Sequence, residues 1–260
     1  MNILKNIVQL KHHSGFRKYF ANTSWLLAER IFRMGVLLFV GIYVARYLGP
    51  ERYGLLSYSN SFVGIFTAIA LLGLDGIVVR ELVNSPENRD KLLGTSFILK
   101  VVGTLLMWLM ILVALFFTNN DLLTNTLIAI IAFSVIFQAF NVIDFNFQAE
   151  VKSKYVVYAQ FLQLLVTSVT KIILVVKELP LIWFASVFCL DAIILALGLA
   201  YAYSYNRGSI KKWKWDSKYA TALLLDGWPL MFSYMSYLIY AKIDRIMKKE
   251  MMDEYSVGIY

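Results

Sequence analysis

Three ionisable residues, Glu29, Arg30 and Arg33, stand inside an otherwise apolar run of the chain. At helical pitch they fall within an arc of about 100°. Glu29 and Arg33, four residues apart, can pair across one turn. A charge near the centre of a bilayer costs at least about 2.5–3.5 kcal/mol, so such groups must face protein or water. The chemistry open to them is anion recognition, because arginine stays ionised and can grip two oxygens at once, and charge-assisted hydrogen bonds are the strong ones. Lys100, with Thr104 one turn on, and Lys171 stand in two further apolar runs. Gln138 and Asn141 share a helical face with Ser134, Asp144 and Gln148, and Gln163 shares one with Gln160, Thr167, Thr170 and Lys171. These faces predict a water-filled cavity lined by Glu29, Arg30, Arg33, Lys100, Gln138, Asn141, Gln163 and Lys171. The bases expected to reach it outnumber the acids deep in the runs, which suits an anionic substrate, above all a diphosphate.

Each feature has a plainer reading. A stripe of small and hydroxylic residues, such as Ser57, Ser61, Gly64, Ala68 and Asp75, also serves helix–helix packing. Lys100 and Lys171 are long enough to snorkel to a surface. The Glu29–Arg33 pair would also serve folding alone. No HExxH, GxSxG or GxxxxGK motif occurs, so no enzyme and no cofactor is expected. His12 and His13 are adjacent and cannot share a helix face, and the single cysteine, Cys189, cannot build a disulfide or a Cys-based zinc site. No metal site is expected.

The elements that must position these groups follow from composition. Of 260 residues 59% are hydrophobic and 16% charged, with a mean hydropathy of +0.64. Soluble domains are about 45–50% apolar and about 25% charged. One globule of this length could not enclose the excess, so the solvent for it is lipid. Seven runs are long enough to span: Ser24–Val44, Leu55–Val79, Leu92–Phe117, Leu122–Phe145, Tyr155–Val176, Leu181–Tyr203 and Ala220–Ile243. Long continuous apolar runs imply helices rather than barrel strands. The expected fold class is all-α, a polytopic membrane helix bundle of about seven transmembrane helices.

The connections are short and polar, and they sort by charge. One set holds Lys5, Lys11, Arg17, Lys18, Arg80, Arg89, Lys91, Lys152, Lys154, Arg207, Lys211, Lys212, Lys214 and Lys218; the other, up to the seventh span, holds only Arg46, Arg52 and Lys177. Fourteen against three places the first set in the cytoplasm by the positive-inside rule, and the N-terminus with it. The formal charge of +8 is thereby explained by orientation, and no nucleic-acid partner is expected. Ile3, Leu4, Ile7 and Val8 fit either a surface-lying amphipathic segment or a frayed terminus. No cleavable signal peptide is expected, since residues 1–20 hold no long apolar core. A faint repeat at an offset of 204 residues pairs the stretch after span one, Arg46–Leu56, with Glu250–Tyr260, so that Gly54 matches Gly258.

Several stretches carry a family resemblance. YLGPERYGLLSYSNSF (Tyr47–Phe62), GLDGIVVREL (Gly73–Leu82) and FQAFNVIDFNFQAEVKSKYVVYAQ (Phe137–Gln160) resemble the oligosaccharide repeat-unit flippases, the Wzx-type polysaccharide-biosynthesis branch of the multidrug/oligosaccharidyl-lipid/polysaccharide exporter superfamily. KIDRIMKKEMMDEYSVGIY (Lys242–Tyr260) resembles the start of that family's second half, which usually has small, glycine-containing residues where this chain has Glu250–Asp253. The resemblance implies two six-helix lobes around a cavity that opens alternately to each side. It implies a cargo of undecaprenyl-diphosphate-linked oligosaccharide, moved to the outer leaflet of a bacterial inner membrane for O-antigen, capsule or exopolysaccharide, driven by an ion gradient. Expected partners are the lipid-linked oligosaccharide, membrane lipids, a polysaccharide polymerase and a chain-length regulator.

The expected organisation is a cytoplasmic N-terminal segment (1–22), a six-helix N-lobe (23–205), a basic cytoplasmic loop (206–219) and the first helix of an incomplete second lobe (220–260). Members of the family are longer, so a fragment or truncated product is expected. The competing readings are a multidrug or cation antiporter of the same superfamily and a non-transporting scaffold of the assembly complex.

Overall fold

The computed structural model describes residues 14–252 and 254–259. Lys5, Lys11, His12, His13 and the apolar set at Ile3, Leu4, Ile7 and Val8 lie outside the described residues. Among the described residues the secondary structure is entirely helical. Five stretches are long and apolar enough to cross a membrane: Thr23–Asn84, Pro86–Leu115, Leu122–Ala149, Lys154–Val176 and Leu181–Tyr205.

The first of these contains two crossings. Helix α1 (Ser14–Leu71) has 58 residues. At 1.5 Å per residue that is roughly 87 Å, about three times the hydrocarbon thickness of a bilayer. The helix breaks at Gly49 (φ 71°, ψ 171°), a conformation open to glycine, and Pro50 starts the next turn without needing a donor. Residues from both sides of the break, Gly41 and Val44 with Leu56 and Asn60, line one pocket, so the two halves face each other. The expected polar loop from Arg46 to Gly54 is thus a single-residue break within helical backbone.

The second crossing ends earlier than Val79. Leu72 (φ 54°) and Gly73 (φ 65°) leave the helical region, and α2 (Asp75–Asn84) restarts with Asp75 in its first turn, where a carboxylate meets the positive helix end. After a short 3-10 turn at Pro86–Asn88, α3 runs from Arg89 to Leu115.

The expected fourth helix is three pieces: α4 (Leu122–Ser134), a 3-10 segment (Val135–Asn141) and α5 (Val142–Ala149). Asp121 caps α4 by accepting from the Thr124 amide at 3.0 Å. Then follow α6 (Lys154–Val176) and α7 (Leu181–Tyr205). Helix α8 (Ser217–Met251) extends well past Ile243 and carries Asp244, Arg245, Lys248 and Lys249 in helical backbone. It is not among the five apolar stretches, since its Ser and Tyr residues, Asp226 and Pro229 dilute its apolar content. Helix α9 (Glu254–Ile259) closes the described chain.

The connections gather at two ends of the bundle. At one end Arg89 pairs with Glu150 at 3.1 Å and Lys91 with Asp216 at 3.3 Å, while the Asp216 amide donates to Thr95 at 3.0 Å. The hydrogen bond with Lys91 is the largest of several contacts that hold the Asp216 carboxyl below the usual carboxylate range. At the other end the Tyr47 hydroxyl donates to the Leu179 carbonyl at 3.1 Å, and the Tyr58 hydroxyl to Asn120 at 3.3 Å. The charge-sorted loops are therefore also spatially sorted.

Two buried apolar clusters stack between these ends. One holds Val44, Tyr58, Met107, Leu127 and Phe184; the other holds Leu74, Leu92, Ile143, Val156 and Leu199. Around them the outer surface is apolar, with Phe39, Leu109, Val169 and Leu197 all exposed. Such a face is stable only against lipid, and aromatic side chains such as Trp25, Tyr158, Tyr201 and Tyr205 suit the interfacial zone. The chain is a polytopic helical membrane protein.

Candidate functional site

The polar residues of the spans occupy the level between the two apolar clusters. Along α3 the clusters leave a gap from Lys100 to Thr104, and in the broken fourth crossing the gap holds Gln138 and Asn141. Along α6 it holds Gln163, Thr167 and Lys171, and along α7 it holds Asp191. The 3-10 geometry of Val135–Asn141 matters here. Residues three apart eclipse in a 3-10 helix, so Gln138 and Asn141 still share a face, whereas the 100° plot that joined them to Asp144 and Gln148 does not apply across the segment.

Two groups form within this belt. The first joins α1, α6 and α7. The Arg33 guanidinium donates to Glu29 at 2.5 Å and to the Gln160 carbonyl at 3.4 Å. Glu29 is buried, Arg33 is half-buried, and Arg30 is exposed. The Gln163 amide donates to Asp191 at 2.7 Å, and the Thr167 hydroxyl donates to the Gln163 carbonyl at 2.9 Å. Lys171 lines the pocket between the halves of α1, with Ser57, Asn60 and Phe188 around it. It makes no hydrogen bond or ion pair among the described residues, and Asp191 is the charge that bears on it.

The second group joins α2, α3 and α5. Lys100 is only 2% exposed. It donates to Asp75 at 2.9 Å and lies over the Phe145 ring, 4.5 Å from its centroid, with the Asp144 carboxylate nearby. It does not snorkel; it is a clamped ion pair. The structure therefore divides the eight candidates rather than converging them: Glu29, Arg33, Gln163 and Lys171 fall together, Lys100 sits apart, Gln138 and Asn141 lie between α3 and α7, and Arg30 lies outside.

One correction follows, and one of the plainer readings holds. Asp191 belongs to the belt and was absent from the candidates, although its signal is plain: one carboxylate in the middle of a 25-residue apolar helix. With Asp191, Asp144, Asp75 and Glu29 set against Arg33, Lys100 and Lys171, bases no longer outnumber acids. The stripe Ser57, Ser61, Gly64 and Ala68 is packing surface in large part. Arg245 donates to Ser61 at 3.4 Å, the Lys242 side chain fills the place of a Cβ on Gly64, and Ala68 is fully buried.

A family model described as polysaccharide biosynthesis protein matches residues 19–260, nearly the whole chain. The chain belongs to that family. No curated protein and no solved structure matches it. Family and helical membrane fold together point to a transporter-type protein of polysaccharide biosynthesis, consistent with a role in export.

Proposed function

We propose that the protein flips undecaprenyl-diphosphate-linked oligosaccharide repeat units across a bacterial inner membrane, toward surface polysaccharide such as O-antigen, capsule or exopolysaccharide, using an ion gradient. The bases at the Arg89–Lys218 end mark the cytoplasmic face, with the N-terminus on the same side, as the positive-inside rule requires. Residues 23–205 form the first lobe and α8 opens the second. A polymerase and a chain-length regulator receive the product.

The observation that carries this reading is Lys171. A half-buried ammonium with no ion-pair partner among the described residues, facing a pocket between two halves of α1, calls for an anion. The part of the cargo common to every repeat unit is its diphosphate. Arg33 is the second base at this level, held by Glu29 while no cargo is present, and cargo exchanges one anionic partner for another. Gln138 and Asn141 supply neutral donors for sugar hydroxyls.

The test is Lys171→Gln, with surface polysaccharide and membrane protein level measured in the same cells. Export is expected to fall at least about ten-fold, one lost charge-assisted contact of roughly 1.5–3 kcal/mol, while Lys171→Arg retains part of it. Normal export by a stably inserted Lys171→Gln protein overturns the reading. A cation antiporter is the second reading, favoured by the half-buried carboxylates Asp144 and Asp191. It predicts efflux of a cationic dye that is lost in the Asp144→Asn variant, with export of polysaccharide untouched.

A further inference from the structure

Asp191 sits on α7 between the two apolar clusters, at the depth where a bilayer is driest. An isolated carboxylate there would be costly, and the usual remedies are an ion pair or a proton. Among the described residues Asp191 has no ion pair. Its hydrogen-bond partner is the neutral Gln163 amide, whose Nε2 donates at 2.7 Å, and the Thr167 hydroxyl lies beside the same carboxylate. Gln163 is 4% exposed, and its other polar atom, Oε1, is buried with no donor among the described residues. A buried acceptor left empty costs about 1–3 kcal/mol.

One proton resolves both. A carboxylic acid and a primary amide satisfy each other through two reciprocal hydrogen bonds. The amide N–H donates to the acid's carbonyl oxygen, and the acid's O–H donates to the amide oxygen. A carboxylate can accept the first of these bonds but cannot make the second. Gln163 is thus a matched partner for neutral Asp191 and a half-matched partner for the ionised form.

We propose that Asp191 is a reversible proton site inside the lobe, with Gln163 as the residue that positions it. The proton enters from water and adds to one carboxylate oxygen, and it leaves by the reverse step; no other bond changes. The charged groups bearing on Asp191 are Lys171 from α6 and Arg33 from α1, the latter already held by Glu29. The fourth and fifth helices add only Asp144, which lies with Lys100 in the other group. Ionised, Asp191 balances Lys171 and the group is neutral. Protonated, it leaves Lys171 uncompensated and the group carries one positive charge. Proton uptake at Asp191 and anion binding at Lys171 therefore favour each other. This last step rests on the function proposed above; the proton site itself does not.

The experiment uses infrared spectroscopy on the purified protein in lipid, titrated with acid, alongside binding of inorganic pyrophosphate as the probe. The expected result is the carbonyl stretch of a neutral carboxylic acid that fades as pH rises, vanishes in the isosteric Asp191→Asn variant and moves in frequency in Gln163→Leu. Pyrophosphate affinity should rise as pH falls, by up to about ten-fold per pH unit for one linked proton. In Asp191→Asn it should stay at the acid-limit value at every pH. Lack of any neutral-acid band, or a band unchanged by Asp191→Asn, overturns the proton site. Loss of the band in Asp191→Asn, with no pyrophosphate binding at any pH, supports the proton site and overturns the anion-binding function. A purely structural Gln163 would lower stability in Gln163→Leu without moving the band, which would overturn its positioning role.

Discussion

Gly54 and Gly258, the two glycines paired by the faint repeat at an offset of 204 residues, lie against each other in the structure. A Cβ on Gly54 would land on the Glu254 carbonyl and within 3.0 Å of the Gly258 nitrogen, and a Cβ on Gly258 would land on the Pro50 carbonyl. The contact is the far end of a longer seam. Helix α8 runs antiparallel to the second half of α1, with Gly227 against Leu72 and Gly73, Lys242 against Gly64, and Arg245 against Ser61. Small residues let two backbones approach closely in lipid, where no hydrophobic force draws helices together.

Gly54→Leu should therefore push α9 off α1. Overpacking of this kind costs about 1–3 kcal/mol. A thermal-unfolding measurement in detergent should show a lower midpoint, together with faster proteolysis near Met252. An unchanged midpoint and an unchanged cleavage pattern would mean that α9 does not dock there.

The Lys100–Asp75 pair permits a cycle. Asp75→Asn leaves a nearly fully buried ammonium with only Asp144 nearby, but Asp75 itself is more than half exposed and screened by water. A loss of about 1–2 kcal/mol is expected, less than the full cost of breaking a wholly buried pair. Lys100→Met with Asp75→Asn should recover most of it, since the methionine side chain fills the space beside Phe145 without charge. Additive losses in the double variant would show that the two residues do not interact.

Arg33 distinguishes transport from folding. Arg33→Ala is expected to abolish export at normal protein level, and Arg33→Lys to retain part of it, because lysine keeps the charge but not the fork. Glu29→Gln should be milder. Disappearance of the Arg33→Ala protein from the membrane would assign the Glu29–Arg33 pair to folding instead.

Orientation is accessible to chemistry. In a Cys189→Ala background, which loses only a weak thiol contact to the Ile130 carbonyl, Ser209→Cys should resist an impermeant thiol reagent added outside intact cells and react after permeabilisation. Labelling from outside would invert the topology.

The tie between Lys91 and Asp216 carries a pH signature. Asp216 has a lowered pKa, so the stability it contributes is full above the ordinary carboxylate value of about 3.9 and is lost as pH falls through the lowered native value. The acid limb of a plot of melting temperature against pH should be shallower in Asp216→Asn than in the parent protein. Identical limbs would show that the loop after α7 is not held by this carboxylate.

What the sequence determined by itself was whatever follows from periodicity and bulk polarity. The apolar run lengths dictate membrane helices because lipid leaves the backbone no partner but itself. Alternation of Lys and Arg between connections dictates which loops share an end, and the structure gathers them so, with Arg89 on Glu150 and Lys91 on Asp216. Gly49 and Pro50 mark the break in α1 because their backbone preferences are local.

Tertiary structure decided the rest. A helical plot gives each residue an angle but not a neighbour. It could not show that Arg30 leaves the group that Glu29 and Arg33 share, that Lys100 finds Asp75 across a helix break, or that α8 covers Ser61 and Gly64. Nor could it show Asp191 beside Gln163, since a hydrogen bond between residues 28 apart depends on how α6 and α7 pack. Partners in a bundle are set by the packing of whole faces, and that information is not carried at any single position in the chain.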